Sequence, residues 1–241
     1  MSSLPICILE TGTSHPKLVA QYGRYSQMIQ AWLQPALPEA QFDVLPVFEG
    51  AKLDLHNHPY RGFIITGSPH GVYEDLPWIN YLQQLLRDLA AQGHPLFGIC
   101  FGHQIMAAAF GGIVTKSEKG WGTGIQEYHF TPDNLPDAQV LVYHQDQVTT
   151  LPPEAQVIGF STHCAYGALD YPFAARSIQF HPEFSQEFVA ALIRFRNDPI
   201  PDQAQQLQAL QEQQIDNSRY AQWVADFLRQ GQKNKKPKGL T

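Results

Sequence analysis

The chain has 241 residues, 44% hydrophobic and 16% charged, enough apolar mass for one large domain or one domain with an appendage. Its net charge is −6, and four of its sixteen basic residues (Lys233, Lys235, Lys236 and Lys238) crowd into the last nine positions. The remaining body is acidic, which argues against a broad nucleic-acid surface, since phosphate binding needs clustered Lys and Arg, and no apolar run reaches the length of a membrane span.

The first element, "LPICILE" (4–10), reads as a strand and not as a signal peptide, having no basic start and no small-residue cleavage site. Ser14 and Pro16 then open a predicted helix through about Gln34, with Val19, Tyr22, Met28, Ile29 and Trp32 on its apolar face. "FDVLPVFEG" (42–50) alternates like a strand, and Pro46 assigns it to a sheet edge or an interruption. "RGFIITGS" (61–68) is a strand entering a Gly-Ser-Pro turn. "PWINYLQQLLRDLAAQG" (77–93) is the clearest helix, with Pro77 in its first turn, a stripe of Leu82, Leu85, Leu86 and Leu89, and Gly93 closing it. "HPLFGI" (94–99) is a buried strand and "GHQIMAAAFGG" (102–112) a short helix. This β-α-β-β-α-β-α order predicts an α/β fold with a central, mostly parallel sheet covered by helices on both faces.

After Gly111 the texture changes. "GIVTKS", "GIQEYHFTP", "AQVLVYHQDQVTTL", "AQVIGFSTH" and "AARSIQFHPEF" are strand candidates broken by Gly, Pro and Asp, and "SQEFVAALIRFR" (185–196) returns to helix. Residues 202–230 read as one or two helices parted near Asn217. The expected organisation is a domain over 1–196, a C-terminal helical extension over 197–230, and a lysine-rich, disordered tail over 231–241.

One segment raises a chemical question. "FGICFGHQ" (97–104) sets Cys100 between two glycines where an apolar strand gives way to a helix. G-x-C-x-G has the form of a nucleophile elbow: the central residue takes a cramped conformation, and the flanking glycines are needed because a Cβ would strike the neighbouring strand or helix. The helix N-terminus favours thiolate over thiol, and the N–H of Phe101 points where an oxyanion would form. The competing reading is a buried structural thiol, the role assigned to Cys7 and Cys164. The three cysteines are widely spaced with no CxxC pair, as in a reducing cytoplasm, and the scattered His and Cys lack zinc spacing, so neither metal nor cofactor is expected.

A thiolate nucleophile needs a base, and the base needs an orienting group. In "SIQFHPEFS" (177–185), His181 ends an apolar strand and Glu183 lies two positions on. Residues two apart in an extended segment project to one side, so Glu183 can hold one imidazole nitrogen while the other faces Cys100. Both segments end predicted strands, where open α/β sheets place their sites.

These segments carry a resemblance. "PLFGICFGHQIMA" and "QFHPEF" resemble the signature segments of class I, triad-type glutamine amidotransferase domains. "IITGSPHGVYED" (64–75) resembles that family's oxyanion loop, "VYHQDQV" (142–148) its S-H-x-D-x-V segment, and "KGWGTG" (119–124) a stretch of the subgroup near the amidotransferase half of GMP synthetase. The resemblance covers about residues 5–195. It implies that Cys100 attacks the side-chain amide of glutamine or a γ-glutamyl amide, forming a γ-glutamyl thioester. It further implies that His181 protonates the leaving nitrogen and then activates water, and that Glu183 orients His181. By the same resemblance the N–H groups of Ser68 and Phe101 form the oxyanion hole, while Gln104 and the Tyr143–Asp146 segment hold the amino-acid head. Two positions depart from the pattern: Ser68 replaces a glycine of the oxyanion loop, and Tyr143 replaces the serine of S-H-x-D. His144 and His163 read as polar loop residues, and His103 as pointing along its helix, away from the sulfur.

Three functions remain open at the level of sequence. One is a free-standing hydrolase of glutamine or γ-glutamyl compounds. The second is a glutaminase subunit delivering ammonia to a separate synthase, and the third a non-catalytic binding or regulatory module. The expected partner in the first two is a small-molecule substrate, with a separate synthase subunit in the second and neither nucleic acid nor membrane in any.

Overall fold

In the computed structural model, which describes residues 3–131 and 135–231, the alternation of apolar strands and amphipathic helices becomes a doubly wound sheet. The elements run β1 (Leu4–Glu10), α1 (Pro16–Tyr22), α2 (Tyr25–Leu33), β2 (Ala40–Pro46), β3 (Gly62–Ile65), α3 (Pro77–Ala91), β4 (Leu96–Ile99) and α4 (Phe101–Ala109). They continue with β5 (Ile113–Lys116), β6 (Gly122–Phe130), β7 (Ala138–His144), β8 (Asp146–Thr150), β9 (Gln156–Phe160), β10 (Ala168–Asp170), β11 (Ala175–Ile178), α5 (Gln186–Phe195), α6 (Gln203–Glu212) and α7 (Ser218–Gln230). The lysine-rich tail, apart from Gly231, lies outside the described residues.

Nine strands form one sheet in the order β2-β1-β3-β4-β11-β10-β9-β6-β7, and β5 pairs with β8 in a small separate ribbon. From β2 to β11 the pairing is parallel; from β11 to β7 it is antiparallel. β2 stands at the edge and ends on Pro46, a residue with no N–H to give a further neighbour.

Strand alternation distributes the core between two faces. Ile6, Ile8, Ile64, Phe97 and Ile178 pack on one side with Ile29 and Leu33 of α2 and Tyr220, Val224 and Leu228 of α7. Cys7, Leu9, Phe63, Ile65 and Leu96 pack on the other with the α3 stripe and with Phe101 and Ile105 of α4. Burial on both faces is why the parallel strands read as continuous apolar runs.

Two details differ from the sequence reading. The single helix expected through Gln34 is two, because Gly23 adopts φ +85° and Arg24 is extended, and the second helix restarts at Tyr25. The three-residue β10, too short to show periodicity, joins β9 and β11. The helices after residue 202 do part at Asn217, and α7 is built into the core: Tyr220, Val224 and Leu228 are fully buried. The C-terminal ends of β1, β3, β4 and β11 converge at one rim of the sheet, where chain reversal puts their loops side by side.

Candidate active site

Cys100 sits on that rim with φ 53° and ψ −101°, a backbone conformation rare for a residue with a Cβ. The turn is held by tight packing. A Cβ on Gly98 would stand 2.5 Å from the Gly102 carbonyl carbon and oxygen, and one on Gly102 would meet the Ile65 carbonyl oxygen at 2.4 Å. Both glycines of the elbow are therefore required by the approach of α4 to β3 and β4. The Cys100 N–H bonds the Ile178 carbonyl at 2.8 Å, tying the elbow to β11.

The next strand over supplies the imidazole. His181 follows β11, and its own N–H donates to the Leu141 carbonyl of β7 at 2.8 Å. Its Nδ1 bonds Glu183 Oε1 at 2.7 Å, with both side chains almost wholly buried. The Cys100 thiol lies near enough to the ring to act on its charge. Burial alone would lower the imidazole; the Glu183 carboxylate and Cys100 overcome it and raise His181 to about 10, so it holds its proton at neutral pH. Phe184 stacks flat on the ring, centroids 3.9 Å apart and planes 5° from parallel. Gly67 adjoins its edge: a Cβ there would lie 3.1 Å from His181 Cε1 and 3.9 Å from Cys100 Cβ. Cys100, His181 and Glu183, far apart in the chain, are brought together.

Four of the other expected residues, Ser68, Gln104, Tyr143 and Asp146, line a cavity of about 340 Å³ that opens over Cys100 and His181. Ser68 lines it, clamped by Oγ to the Thr11 carbonyl at 2.7 Å, while Thr11 Oγ1 reaches the Gly67 carbonyl at 2.9 Å. Phe101 opens α4, where first-turn N–H groups have no partner within the helix. Gln104 lines the cavity; its Nε2 donates to the Asp146 carbonyl at 2.8 Å and to Gln179 Oε1 at 3.2 Å. Asp146 lines it too and accepts from the Tyr73 hydroxyl at 3.3 Å; burial raises its carboxyl. Tyr143 turns its hydroxyl to Asp198 Oδ2 at 2.8 Å.

Several residues of the site were not picked out from sequence. Gln179 donates Nε2–H to Cys100 Sγ at 3.6 Å. It precedes His181 by two, so the alternation that paired His181 with Glu183 also put Gln179 on that side. Tyr25 enters through the break at Gly23, and Tyr73, Glu74, Arg196 and Asp198 through loops with no periodic signal. His144 corrects a reading: it ends β7 instead of lying in a loop, is 3% exposed, and lines the cavity. Burial, with His163 and His181 adding to it, lowers its imidazole to about 3. His103 points away from the sulfur, its Nδ1 2.8 Å from Ser177 Oγ. Among the described residues no group of three or more His, Cys, Asp or Glu is arranged to hold a metal ion.

A family model described as glutamine amidotransferase class-I matches residues 24–194, from the first residue before α2 to the last turn of α5. The chain belongs to the class-I glutamine amidotransferase family. This amidotransferase-family chain is 27% identical over 244 aligned positions to a glutamine amidotransferase-like protein of Schizosaccharomyces pombe, covering 92% of the chain and 98% of that protein. It is 30% identical to gamma-glutamyl peptidase 3 of Arabidopsis thaliana over 64% of the chain and 67% of the peptidase. A GMP synthase (glutamine-hydrolyzing) of Macrococcus caseolyticus is 32% identical over 56% of the chain, but only 28% of that longer protein is covered. The fold matches a crystal structure of a glutamine amidotransferase from Thermotoga maritima with TM-score 0.73, 19% identity, and coverage of 97% and 100%.

Proposed function

We propose that the protein hydrolyses the γ-carboxamide of glutamine or a γ-glutamyl amide through a γ-glutamyl thioester on Cys100. The observation that carries this reading is the Cys100–His181–Glu183 constellation, whose thiol and imidazole line one cavity. The thiolate attacks the γ-carbonyl carbon. The Ser68 and Phe101 N–H groups receive the developing oxyanion, a large share of the stabilisation in acyl transfer. His181, already protonated, gives its proton to the departing nitrogen as the C–N bond breaks. It then takes one from water, which attacks the thioester and releases glutamate. Glu183 fixes the imidazole tautomer by accepting from Nδ1–H. Gln104, Tyr143 and Asp146 bound the amino-acid head.

Water is the acceptor in this reading, and no second chain is required. Family membership and the resemblance to gamma-glutamyl peptidases support it. The match to the glutamine-hydrolysing part of GMP synthases favours, as a second reading, a glutaminase subunit feeding a separate synthase. We place the enzyme in the cytoplasm, consistent with three free cysteines; no helix among the described residues is long and apolar enough to cross a membrane. We also take residues 197–230 as part of the same folding unit, given the burial of α7.

The test is steady-state turnover of glutamine and γ-glutamyl dipeptides by the purified chain. Cys100→Ala and Cys100→Ser should each lower kcat by at least about 10³-fold, with His181→Ala close behind and unchanged circular dichroism throughout. Full activity in Cys100→Ser would overturn the assignment. Turnover that appears only with an added synthase would select the second reading.

A further inference from the structure

The wall of the cavity beyond the nucleophile is built partly from residues past the segment the family model matches. That match ends at 194, and Arg196 and Asp198 follow it. The Arg196 guanidinium lies over two aromatic rings, 5.4 Å from the centre of Trp121 and 5.6 Å from that of Tyr143. Its Nε is 2.6 Å from Asp198 Oδ2, and its Nη2 reaches Asp198 Oδ1 at 3.5 Å. Tyr143 donates to the same carboxylate. The side-on edge of the guanidinium is thus occupied and its plane fixed by stacking. The end-on pair, Nη1 and Nη2, keeps N–H groups that nothing among the described residues accepts, on a side chain 35% exposed. A guanidinium carries five donors in a planar fork, and the free end matches a carboxylate bidentately. Asp198 and the two rings pre-organise it, so little rotamer freedom is lost when a ligand arrives.

The reaction tells which carboxylate this would be. Gln104, Tyr143 and Asp146 bound the amino-acid head of the acyl half; Arg196 stacks on the Tyr143 ring, but among the described residues it has no hydrogen bond or ion pair to Gln104 or Asp146, so its free N–H groups are left for the other half of the substrate. Ammonia leaving from glutamine carries no anionic group for Arg196 to hold. An amino acid leaving from a γ-glutamyl peptide carries an α-carboxylate, and its side chain would lie against Trp121. Resting on the reaction proposed above, we propose that Arg196 is a specificity-determining residue that binds the carboxylate of an amino-acid leaving group. The substrates of choice are then γ-glutamyl amino acids with a free C-terminus. The cycle balances: the Cys100 S–C bond forms as the γ C–N bond breaks, the amino acid leaves with the proton from His181, and water restores the thiol and yields glutamate.

The experiment compares kcat/KM for γ-glutamylleucine, its C-terminal amide and glutamine. The wild-type chain should prefer the free acid to the amide by on the order of tenfold or more, the return of one charge-assisted pair in a half-exposed setting. Arg196→Gln should bring that ratio close to one, and Arg196→Lys should keep part of it. A wild-type ratio near one overturns the proposal without recourse to any variant. So does an unchanged ratio in Arg196→Gln, or an equal loss on all three substrates, which would put Arg196 at the glutamyl head. Turnover of glutamine alone leaves the hydrolytic reaction standing and removes this inference; turnover of none removes both.

Discussion

Three thiols of one chain meet different fates because their surroundings differ. Cys7 and Cys164 are fully buried, and desolvation raises each to about 12, with Asp43 adding to the effect at Cys7. A thiol so placed ionises too rarely to react. Cys100 instead stands on a strained turn beside a protonated imidazole and opens into the cavity. Native protein treated with iodoacetamide should therefore be labelled at Cys100 alone, read by peptide mass mapping; labelling of Cys164 before unfolding would contradict the burial. The Glu183 carboxylate holds His181 through one 2.7 Å bond, so Glu183→Gln should cost activity through orientation and the loss of a charge that keeps His181 protonated. The expected loss in kcat is smaller than for His181→Ala, and the alkaline limb of the pH–rate profile should move to lower pH.

At the scale of elements, the elbow depends on how closely α4 approaches the sheet. A methyl at Gly102 would collide with the backbone of β3, which cannot swing aside as a long side chain can. Gly102→Ala should destabilise the fold by roughly 1–3 kcal/mol, the usual scale of overpacking, and lower activity further by tilting Cys100; urea melts and turnover together would separate the two effects. Helix α7 poses the opposite problem. Each fully buried side chain such as Tyr220, Val224 or Leu228 contributes roughly 1.5–3 kcal/mol. Ending the chain at residue 196 would strip that cover from Ile6, Ile64 and Phe97. The truncated protein should be insoluble or lack a cooperative melt, whereas an independent appendage could be removed without either result.

For the molecule as a whole, buried imidazoles set the acid limit. His103 and His144 are both lowered to about 3, chiefly by burial. A folded-state value below the ordinary one means that the unfolded chain takes protons first. The stability these residues contribute is present above about pH 6.5 and is lost as pH falls toward 3. His181 works in reverse: raised to about 10, it contributes fully below about 6.5 and loses that contribution as pH climbs through 10. Urea midpoints should thus fall on acidification from pH 6.5 to 5, with each buried imidazole adding at most about 1.4 kcal/mol per pH unit to the slope. His103→Gln should flatten the decline.

Apolar runs and glycine placement by themselves determined the strands β1, β3 and β4, the stripe of α3, the elbow at Cys100 and the pairing of His181 with Glu183. Each is a short-range pattern, repeating within two to four residues or set by a turn. Tertiary structure alone decided that Gly23 splits a helix so that Tyr25 can enter the cavity. It also turned His144 inward, placed Gln179 on the sulfur, and brought Arg196 and Asp198 around from behind α5. Those outcomes depend on which distant strands lie side by side, and no local period encodes a neighbour eighty residues away.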